Sequence, residues 1–361
     1  MITPARRTLR VPEPLALDCG RVLPDHTAGF ETYGTPSATG DNAILVCHSL
    51  TKDAHAGAGG GRPGWWDAAI GPGKMLDTDR YFVVCADTLA AGASTGPASP
   101  DPATGRPYGA RFPVVTVADM VAAQHALTRQ LGITTWHCVV GGCFGGQQAV
   151  QWAIRYPAMV KNAVVIATTP ATSAHTIAIF AVMRHLIRSD PAWNGGDYYG
   201  SAGPVAGLGA AVAAGVPLWM NREAMEIKFG RRGGAGPGYT LDAEFDVERF
   251  IEQITRGGEH GLDPNGLMYL MRAVEYFDLA REYGSLELAM KPVSARTLFV
   301  SYHKDWRYPA AETELLHQAL LAAGGDSAHV VLDSAMGHGA FLVELGGLAA
   351  AVRGFLGAGW P

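Results

Sequence analysis

An apolar strand, a glycine-rich turn and the start of a helix follow one another in Trp136-His-Cys-Val-Val-Gly-Gly-Cys-Phe-Gly-Gly-Gln-Gln148. Glycines stand on both sides of Cys143, as they do in the G-x-nucleophile-x-G elbow that joins a strand to a helix in many hydrolytic enzymes. That turn is sterically strained, and the positive end of the helix dipole favours a thiolate there. The pattern therefore predicts that Cys143 is a nucleophile. The alternative is a glycine-rich turn in which the cysteine is incidental.

Short apolar runs typical of buried strands lie on both sides of this turn, and segments with helical spacing separate several of them. Fully apolar strands that alternate with helices predict an α/β fold, with a mostly parallel sheet and helices on both faces. The predicted strands are residues 42–47, 81–85, 136–140, 163–167, 297–301 and 329–332, and the predicted helices of this part are residues 117–131, 147–155, 310–323 and 341–356.

The alternation of strands and helices stops after residue 167 and resumes near residue 297. Helical patterns and glycine-rich connections fill the interval, with predicted helices at 246–255 and 267–283, and no segment there has the pattern of a strand. We therefore predict a core made of residues 1–169 and 291–361, with a helical insertion over residues 170–290.

A nucleophile on such an elbow needs an acid and a base, which follow it along the chain in that order. Asp305 comes just after a predicted strand, and open α/β sheets collect their functional groups at the carboxyl ends of strands. His338 lies between two glycines in the loop before the last predicted helix. We predict Asp305 as the orienting acid and His338 as the base. Asp333 is an alternative acid, and the nearby His303 has the alternative reading of a surface histidine.

The composition excludes several other classes of protein. The net charge is −5 over 361 residues, and the scattered Arg and Lys residues argue against a nucleic-acid partner. No segment has the length and apolar character of a membrane span or a signal peptide, so we expect no membrane partner and a cytoplasmic location. The five cysteines form no CxxC pair, and the histidines lack the spacing of metal ligands. We therefore predict a reduced protein without a metal site.

Many short segments resemble the homoserine O-acetyltransferases of the α/β-hydrolase superfamily, over roughly residues 28–345. The resemblance implies an α/β-hydrolase fold whose insertion is a helical lid, ping-pong acyl transfer from acyl-CoA, and a homodimer formed through the lid. It also implies an oxyanion hole made by the backbone amides of Leu50 and Phe144. The similar segments include Cys47-His-Ser-Leu-Thr51, Gly64-Trp-Trp-Asp67, Gly71-Pro-Gly-Lys74, Asp77-Thr-Asp-Arg-Tyr-Phe82, Asn194-Gly-Gly-Asp-Tyr-Tyr199, Lys228-Phe-Gly-Arg-Arg232 and Tyr276-Phe-Asp-Leu-Ala280.

The chain departs from this family at the positions that the resemblance assigns to the nucleophile and the substrate. Cys143 replaces the family's serine, and Gly339 replaces an aspartate that helps to hold the amino group of homoserine. Val212 falls at the position of an arginine that binds the substrate carboxylate, and Trp219 falls at that of a tyrosine. Arg184 remains as a possible anion contact, although a surface or structural role is equally compatible with the sequence. These changes predict a less polar pocket in which a charged amino acid would lack partners.

Three functions are compatible with these residues. The first is an acyltransferase that forms an acyl-Cys thioester on Cys143. It would use a CoA or carrier thioester as co-substrate, a small-molecule acceptor other than homoserine, and no further cofactor. The second is an ester or thioester hydrolase that uses the same three residues, because water is then the acceptor. The third is an inactive binding protein, in which the replacement of the family's serine by Cys143 has abolished catalysis.

Overall fold

A single eight-stranded sheet forms the centre of the molecule in a computed structural model that describes residues 6–59, 61–233, 238–257 and 261–357. In chain order its strands are β1 Arg7–Val11, β2 His26–Tyr33, β3 Ala43–Cys47, β4 Phe82–Ala86, β5 Cys138–Gly142, β6 Asn162–Ile166, β7 Arg296–Tyr302 and β8 Ser327–Leu332. Their order across the sheet is β1-β2-β4-β3-β5-β6-β7-β8. A separate two-stranded ribbon pairs Leu15–Ala16 with Val22–Leu23.

The strands from β3 to β8 are parallel, whereas β1 and β2 pair antiparallel at one edge. All residues of β3, β5 and β6 are buried, which explains why their sequences are continuously apolar. The predicted α/β-hydrolase fold, with a mostly parallel sheet and helices around it, is confirmed. Strands β1 and β2 were not predicted, because an edge ribbon of mixed polarity lacks the continuous apolar run of a central strand.

Several boundaries differ from the predicted ones, and two of these differences arise because the elbow is tighter than the sequence pattern indicates. The strand predicted at 136–140 runs instead over Cys138–Gly142, so two of the glycines belong to β5. The following helix begins at Phe144, directly after Cys143, and not at residue 147. The helix predicted at 267–283 is two helices, because Asp278 caps a second one that begins at Leu279. The last predicted helix is broken at Glu344.

Helices of the core cover the sheet, and those between β6 and β7 form the insertion. The core helices are α1 Val117–Gln130, α2 Phe144–Arg155, α11 Ala310–Ala322, α12 Ala340–Val343 and α13 Leu345–Leu356; those of the insertion are α3 Ala174–Ser189, α4 Val205–Ala214, α5 Val216–Trp219, α6 Arg222–Lys228, α7 Asp246–Gly257, α8 Pro264–Tyr276, α9 Leu279–Tyr283 and α10 Leu286–Met290. Short 3-10 helices occur at Gly109–Arg111, Pro157–Met159, Pro191–Gly196 and Gly337–Gly339.

The insertion has its own small apolar cluster in addition to its contacts with the main core. This cluster contains Val216, Met220, Ala224 and Phe229, and side chains of α7 pack against it. None of the helices within the described ranges is by itself long and apolar enough to cross a membrane. The segments Gly337–Val343 and Leu345–Leu356 meet that criterion only as a pair, with a bend of 68° between them.

The tight packing around the elbow gives a first prediction. A Cβ added at Gly145 would lie 2.1 Å from the carbonyl oxygen of Cys47, so the loop after β3 or helix α2 must move in Gly145→Ala. We expect this change to lower the free energy of unfolding by about 1–3 kcal/mol, the usual range for overpacking, in urea titrations followed by circular dichroism.

Gly346→Ala is the matched control, because Gly346 is exposed on α13 and a Cβ there meets no atom within 4 Å. Its unfolding free energy should equal or slightly exceed that of the wild type, since alanine favours a helix. Equal stabilities of the two variants would contradict the described packing at the elbow.

Candidate active site

Cys143 occupies the turn between β5 and α2 with a backbone conformation that side chains rarely adopt. Its φ is 61° and its ψ is −122°, in the left-handed half of the Ramachandran plot. Hydrogen bonds hold this conformation on both sides: the Cys143 amide donates to Ile166 O at 3.0 Å, and the Thr168 hydroxyl donates to Cys143 O at 3.0 Å. The turn therefore presents the thiol in the strained way that is typical of an elbow nucleophile.

The glycines around Cys143 are required because a side chain at their positions would collide with neighbouring segments. A Cβ at Gly141 would lie 2.3 Å from Gly145 O, so strand β5 and helix α2 approach as closely as backbone atoms allow. A Cβ at Gly142 would lie 2.7 Å from the ring of Phe341, which follows the loop that carries His338. The glycine-rich pattern thus reflects close contact of three segments around the cysteine.

His338 and Asp305 form a buried hydrogen-bonded pair, with 2.7 Å between His338 Nδ1 and Asp305 Oδ2. The second carboxylate oxygen of Asp305 accepts hydrogen bonds from the backbone amides of Arg307 at 2.9 Å and Tyr308 at 3.0 Å. Because an ionised carboxylate only accepts, Nδ1 carries the proton, and Nε2 is the atom left for chemistry. The alternative acid, Asp333, is exposed and does not make this contact.

Cys143 and His338 perturb each other electrostatically. Burial alone raises the pKa of the Cys143 thiol, but the Arg307 guanidinium, His338 and the Phe144 amide lower it to about 7. Burial lowers the pKa of His338, but Asp305 and the Cys143 thiolate raise it to about 9. His338 Nε2 is buried and makes no hydrogen bond of ordinary geometry within the described residues. The arrangement favours a thiolate–imidazolium pair near neutral pH.

Arg307 is a buried residue beside Cys143 and His338 that was not predicted from the sequence. It is only 7% exposed and lies two residues after Asp305, and its positive charge lowers the pKa of Cys143. Its position in the sequence could have indicated this role, because a cation in the loop that carries the predicted acid lies close to the predicted nucleophile. Charged residues in loops are usually solvated, and the sequence does not distinguish this one as buried.

The loop that contains Leu50 is fixed against the elbow. Thr88 N donates to His48 Nε2 at 3.0 Å, so the proton of His48 is on Nδ1, which donates to Ser49 O at 2.9 Å. The His48 carbonyl accepts a hydrogen bond from Gln148 Nε2 of α2 at 3.1 Å. Leu50 N donates to no acceptor within the described residues. His48 thus fixes the shape of this loop, and the amide of Leu50 is unengaged.

A cavity of about 540 Å³ lies between the core and the insertion; Leu50 lines it, whereas Cys143, Asp305 and His338 do not. Lys52 and Arg62 line it on the core side, and Asp263 and Leu267 line it from the insertion. Burial lowers the pKa of the Lys52 ammonium, with Asp53 opposing that shift. This cavity has the size of a small-molecule site and offers cationic groups beside the unengaged Leu50 amide.

The predicted substrate-binding residues are in different situations. Arg184 forms an ion pair with the buried carboxylate of Glu275, so its guanidinium is already partnered and the structural role left open by the sequence is the one that the geometry favours. Gly339 and Trp219 are neighbours, because a Cβ at Gly339 would lie 3.2 Å from Trp219 O. Val212 is partly buried against the main core. No group of three or more His, Cys, Asp or Glu side chains in the described part is arranged to hold a metal ion.

Comparison with known proteins places this site in a family. Residues 42–344 match the model of the α/β hydrolase fold. A homoserine O-acetyltransferase of Methanosphaerula palustris is 43% identical over 355 residues, which cover 97% of this chain and 72% of that protein. A homoserine O-succinyltransferase of Halothiobacillus neapolitanus is 43% identical over 347 residues, which cover 94% and 86%. The chain belongs to the homoserine O-acetyltransferase family. It is therefore an enzyme of the acyltransferase class, as the resemblance predicts.

Solved structures agree with membership of the homoserine O-acetyltransferase family and add a second activity to the comparison. The homoserine O-acetyltransferase from Bacillus anthracis superposes with a TM-score of 0.91 at 30% identity, covering 99% of this chain and 98% of that chain. The esterase E22 superposes with a TM-score of 0.87, also at 30% identity, covering 98% and 100%. The same architecture is therefore found in proteins named as acyltransferases and as esterases.

The thiolate–imidazolium pair gives a second prediction. In a Cys19→Ser background, which removes an exposed thiol, we expect iodoacetamide to alkylate Cys143 at a rate that rises through pH ~7. The sign follows from the lowered pKa, because the reactive thiolate persists to a lower pH than in an ordinary thiol. Burial raises the pKa values of Cys47, Cys85 and Cys138, so these thiols should remain unlabelled.

His338→Gln should move this alkylation profile to higher pH, since it removes the imidazolium that favours the thiolate. Intact-mass spectrometry at a series of pH values measures both profiles, and Cys143→Ser is the blank. If the wild type and His338→Gln show the same dependence of alkylation rate on pH, an interaction between the thiol and His338 is excluded.

Proposed function

We propose that the enzyme transfers an acyl group from a CoA or carrier-protein thioester to a small acceptor other than homoserine, through an acyl thioester on Cys143. The observation that carries this proposal is the buried Cys143 at the strained elbow, electrostatically linked to a His338 whose other nitrogen is held by Asp305. Nucleophile, base and orienting acid in this relation are what acyl transfer through a covalent intermediate needs.

In the first half-reaction, the Cys143 thiolate attacks the thioester carbonyl and forms a new C–S bond. The amides of Leu50 and Phe144 are proposed to stabilise the oxyanion, at about 3 kcal/mol for each donor. The bond to the donor sulfur then breaks, and the His338 imidazolium gives its Nε2 proton to that leaving thiolate. Exchange of one thioester for another requires little driving force, which suits a cysteine nucleophile. CoA is also rich in phosphate, and Lys52 and Arg62 in the adjacent cavity are suited to it.

In the second half-reaction, the now neutral His338 Nε2 takes the proton of the acceptor's hydroxyl or amine. The acceptor attacks the acyl carbonyl, and the C–S bond to Cys143 breaks, which regenerates the thiolate and the imidazolium. Asp305 keeps the imidazole ring in one orientation through both steps, because its two oxygens are fixed by His338 and by two backbone amides.

The acceptor proposal rests on three substitutions in and near the lid. Gly339, Val212 and Trp219 offer no carboxylate or guanidinium for the two charges of an α-amino acid. Introducing an aspartate at position 339 would also require Trp219 to move slightly, because a Cβ lies 3.2 Å from its carbonyl oxygen. We therefore propose an acceptor without an α-ammonium group.

The proposal extends to assembly and location. The lid exposes apolar side chains on its helices, including Val182 at 54% and Val205 at 47%, and we propose that they form a homodimer interface. We further propose that the enzyme works in the cytoplasm, where CoA thioesters are available and where the free thiol stays reduced.

Hydrolysis is the second candidate function, favoured by the likeness to esterase E22. The same acyl thioester would form, and water would take the place of the acceptor. What separates the two functions is therefore the fate of the acyl-enzyme.

A third prediction follows from this common intermediate. Incubation with acetyl-CoA or succinyl-CoA should add one acyl mass to the wild type at Cys143, and Cys143→Ala should gain none. Discharge of the acyl mass by an added alcohol or amine, faster than in buffer, supports transfer. Discharge in buffer at the same rate supports the hydrolase, and no acyl mass from any thioester contradicts both.

Cys143→Ser tests the altered acceptor pocket separately. A serine restores the family's nucleophile, but Gly339, Val212 and Trp219 remain. We expect no acetylation of homoserine by this variant or by the wild type in a mass-spectrometric product assay. Homoserine acetylation by Cys143→Ser would show that the acceptor pocket is unchanged and that the acceptor proposal is wrong.

A further inference from the structure

Asp87 carries a fully buried carboxylate directly after strand β4. Its Oδ1 atom accepts a hydrogen bond from the Ala54 amide at 2.7 Å, and its Oδ2 atom accepts one from the Ala93 amide at 2.8 Å. Burial of a carboxylate is unfavourable unless its oxygens are hydrogen-bonded and its charge is paired. These contacts tie two separate loops to the end of one strand of the sheet.

Arg6, which precedes strand β1, is the counter-ion of this carboxylate. Its Nη2 atom donates to Asp87 Oδ1 at 3.1 Å and also lies 2.9 Å from Asp53 Oδ2. The Arg6 side chain is 33% exposed, so it neutralises the buried carboxylate from the solvent side. Removal of one partner from an ion pair with a buried member leaves an uncompensated charge inside the protein. We therefore expect the position of Asp87 to depend on Arg6.

Two glycines leave the space that the Asp87 carboxylate occupies. A Cβ at Gly29 of strand β2 would lie 2.3 Å from Asp87 Oδ2, and a Cβ at Gly92 would lie 2.3 Å from Asp87 Cγ. Because backbone surrounds the carboxylate on these sides, it cannot shift without moving a strand or a loop. The Ala54 amide that it binds is therefore fixed relative to the sheet.

The loop from His48 to Ala54, which we call the Leu50 loop, is held at both ends by consecutive residues. At its start, the Thr88 amide donates to His48 Nε2 at 3.0 Å, and at its end the Ala54 amide donates to Asp87. Leu50 lies between these two anchors, and its amide donates to no acceptor within the described ranges. One short segment after β4 thus fixes a loop whose central N–H group is free.

We propose that Asp87, with Arg6 as its counter-ion, is the positioning residue of the oxyanion hole and holds the Leu50 amide toward the carbonyl oxygen of the acyl thioester. This inference rests on the proposed function, which gives that amide its role. The effect of Asp87 is indirect, because the amide and not the carboxylate meets the oxyanion. Donors in an oxyanion hole act only where they are pre-organised, so a displaced Leu50 loop must slow acylation.

The test compares two reactions of Cys143 in the Cys19→Ser background. Iodoacetamide forms an S–C bond and expels iodide, and no oxyanion develops. S-phenyl thioacetate forms an S–C bond through a tetrahedral oxyanion and expels thiophenolate, and it carries no phosphate that would need the cationic cavity. The ratio of the acylation rate to the alkylation rate, measured by intact-mass spectrometry, therefore separates the oxyanion hole from the reactivity of the thiol.

Asp87→Asn should lower this ratio about tenfold or more, since the loss of a whole oxyanion donor costs about 100- to 1000-fold. The asparagine has the same shape, but its NH2 group cannot accept, so the amide of Ala54 or of Ala93 loses its acceptor. The alkylation rate should stay at the parent's value. Arg6→Met should lower the ratio in the same direction, and Arg6→Lys, which retains the charge, should restore most of it.

The exposed ion pair between Arg10 of β1 and Asp25 provides matched controls. Arg10 Nε donates to Asp25 Oδ2 at 2.9 Å, and the Arg10 side chain is 75% exposed. Arg10→Met and Asp25→Asn remove the same charges from the same edge of the sheet, and each should keep the ratio of the parent.

The double variant Arg6→Met/Asp87→Asn tests whether Arg6 acts through Asp87. If it does, the ratio in the double variant should fall no further than in Asp87→Asn alone, because the charge that Arg6 compensates is already absent. A loss equal to the product of the two single losses would contradict the assignment of Arg6 as the counter-ion.

The outcomes separate this inference from the proposed function. A ratio in Asp87→Asn and Arg6→Met equal to that of the parent overturns the positioning role, and so does an equal loss of both reactions, while the acyl thioester mechanism would still stand. If thermal melting shows that Asp87→Asn is unfolded, Arg6→Met decides alone. If the parent reacts only with acetyl-CoA, that thioester is used at saturating concentration. No acylation of the parent by any thioester overturns the proposed function and this inference with it.

Discussion

The conformation of Cys143 is the constraint on which the surrounding structure depends. A non-glycine residue at a φ of 61° is unfavourable, and it persists only where neighbouring contacts over-determine it. Those contacts extend outwards: Thr168 binds the Cys143 carbonyl and in turn accepts a hydrogen bond from Thr313 of α11, and Gly145 lets the loop after β3 touch α2. The sheet, two helices and the Leu50 loop are therefore positioned by one strained turn.

The same turn brings opposing charges together in a buried region. Cys143, His338, Asp305 and Arg307 are each buried, and any one of them alone would be expensive to ionise. Together they form two cations and two anions, and each shifts the pKa of Cys143 or His338 toward the charged form. The charged forms of these groups thus stabilise one another. Removal of one charged group must therefore alter the pKa values of the others.

Sequence reasoning succeeded where one local signal determines the outcome. The central strands are buried on both faces, so their continuous apolar runs predict them unambiguously. The catalytic roles of Cys143, Asp305 and His338 stay predictions, and the structure shows the contact between Asp305 and His338. Sequence reasoning left open the contacts whose partner is distant in sequence. Glu275 lies 91 residues from Arg184, and nothing local indicates that the two pair. Likewise, the burial of Arg307 depends on Phe180, which belongs to the insertion.

The long-range contacts of Arg184 and Arg307 bear on which charged groups remain at the site. From the sequence, the loss of an arginine at Val212 and of an aspartate at Gly339 reads as a pocket without charges. The structure adds Arg307, a cation that belongs to the core loop of the orienting acid and not to the lid. Asp305 binds both His338 and the Arg307 amide, so a single short segment holds this cation in place relative to the base. The positive charge at the site therefore comes from a core loop, and the insertion contributes the Phe180 ring, whose centroid lies 5.6 Å from Arg307 Cζ.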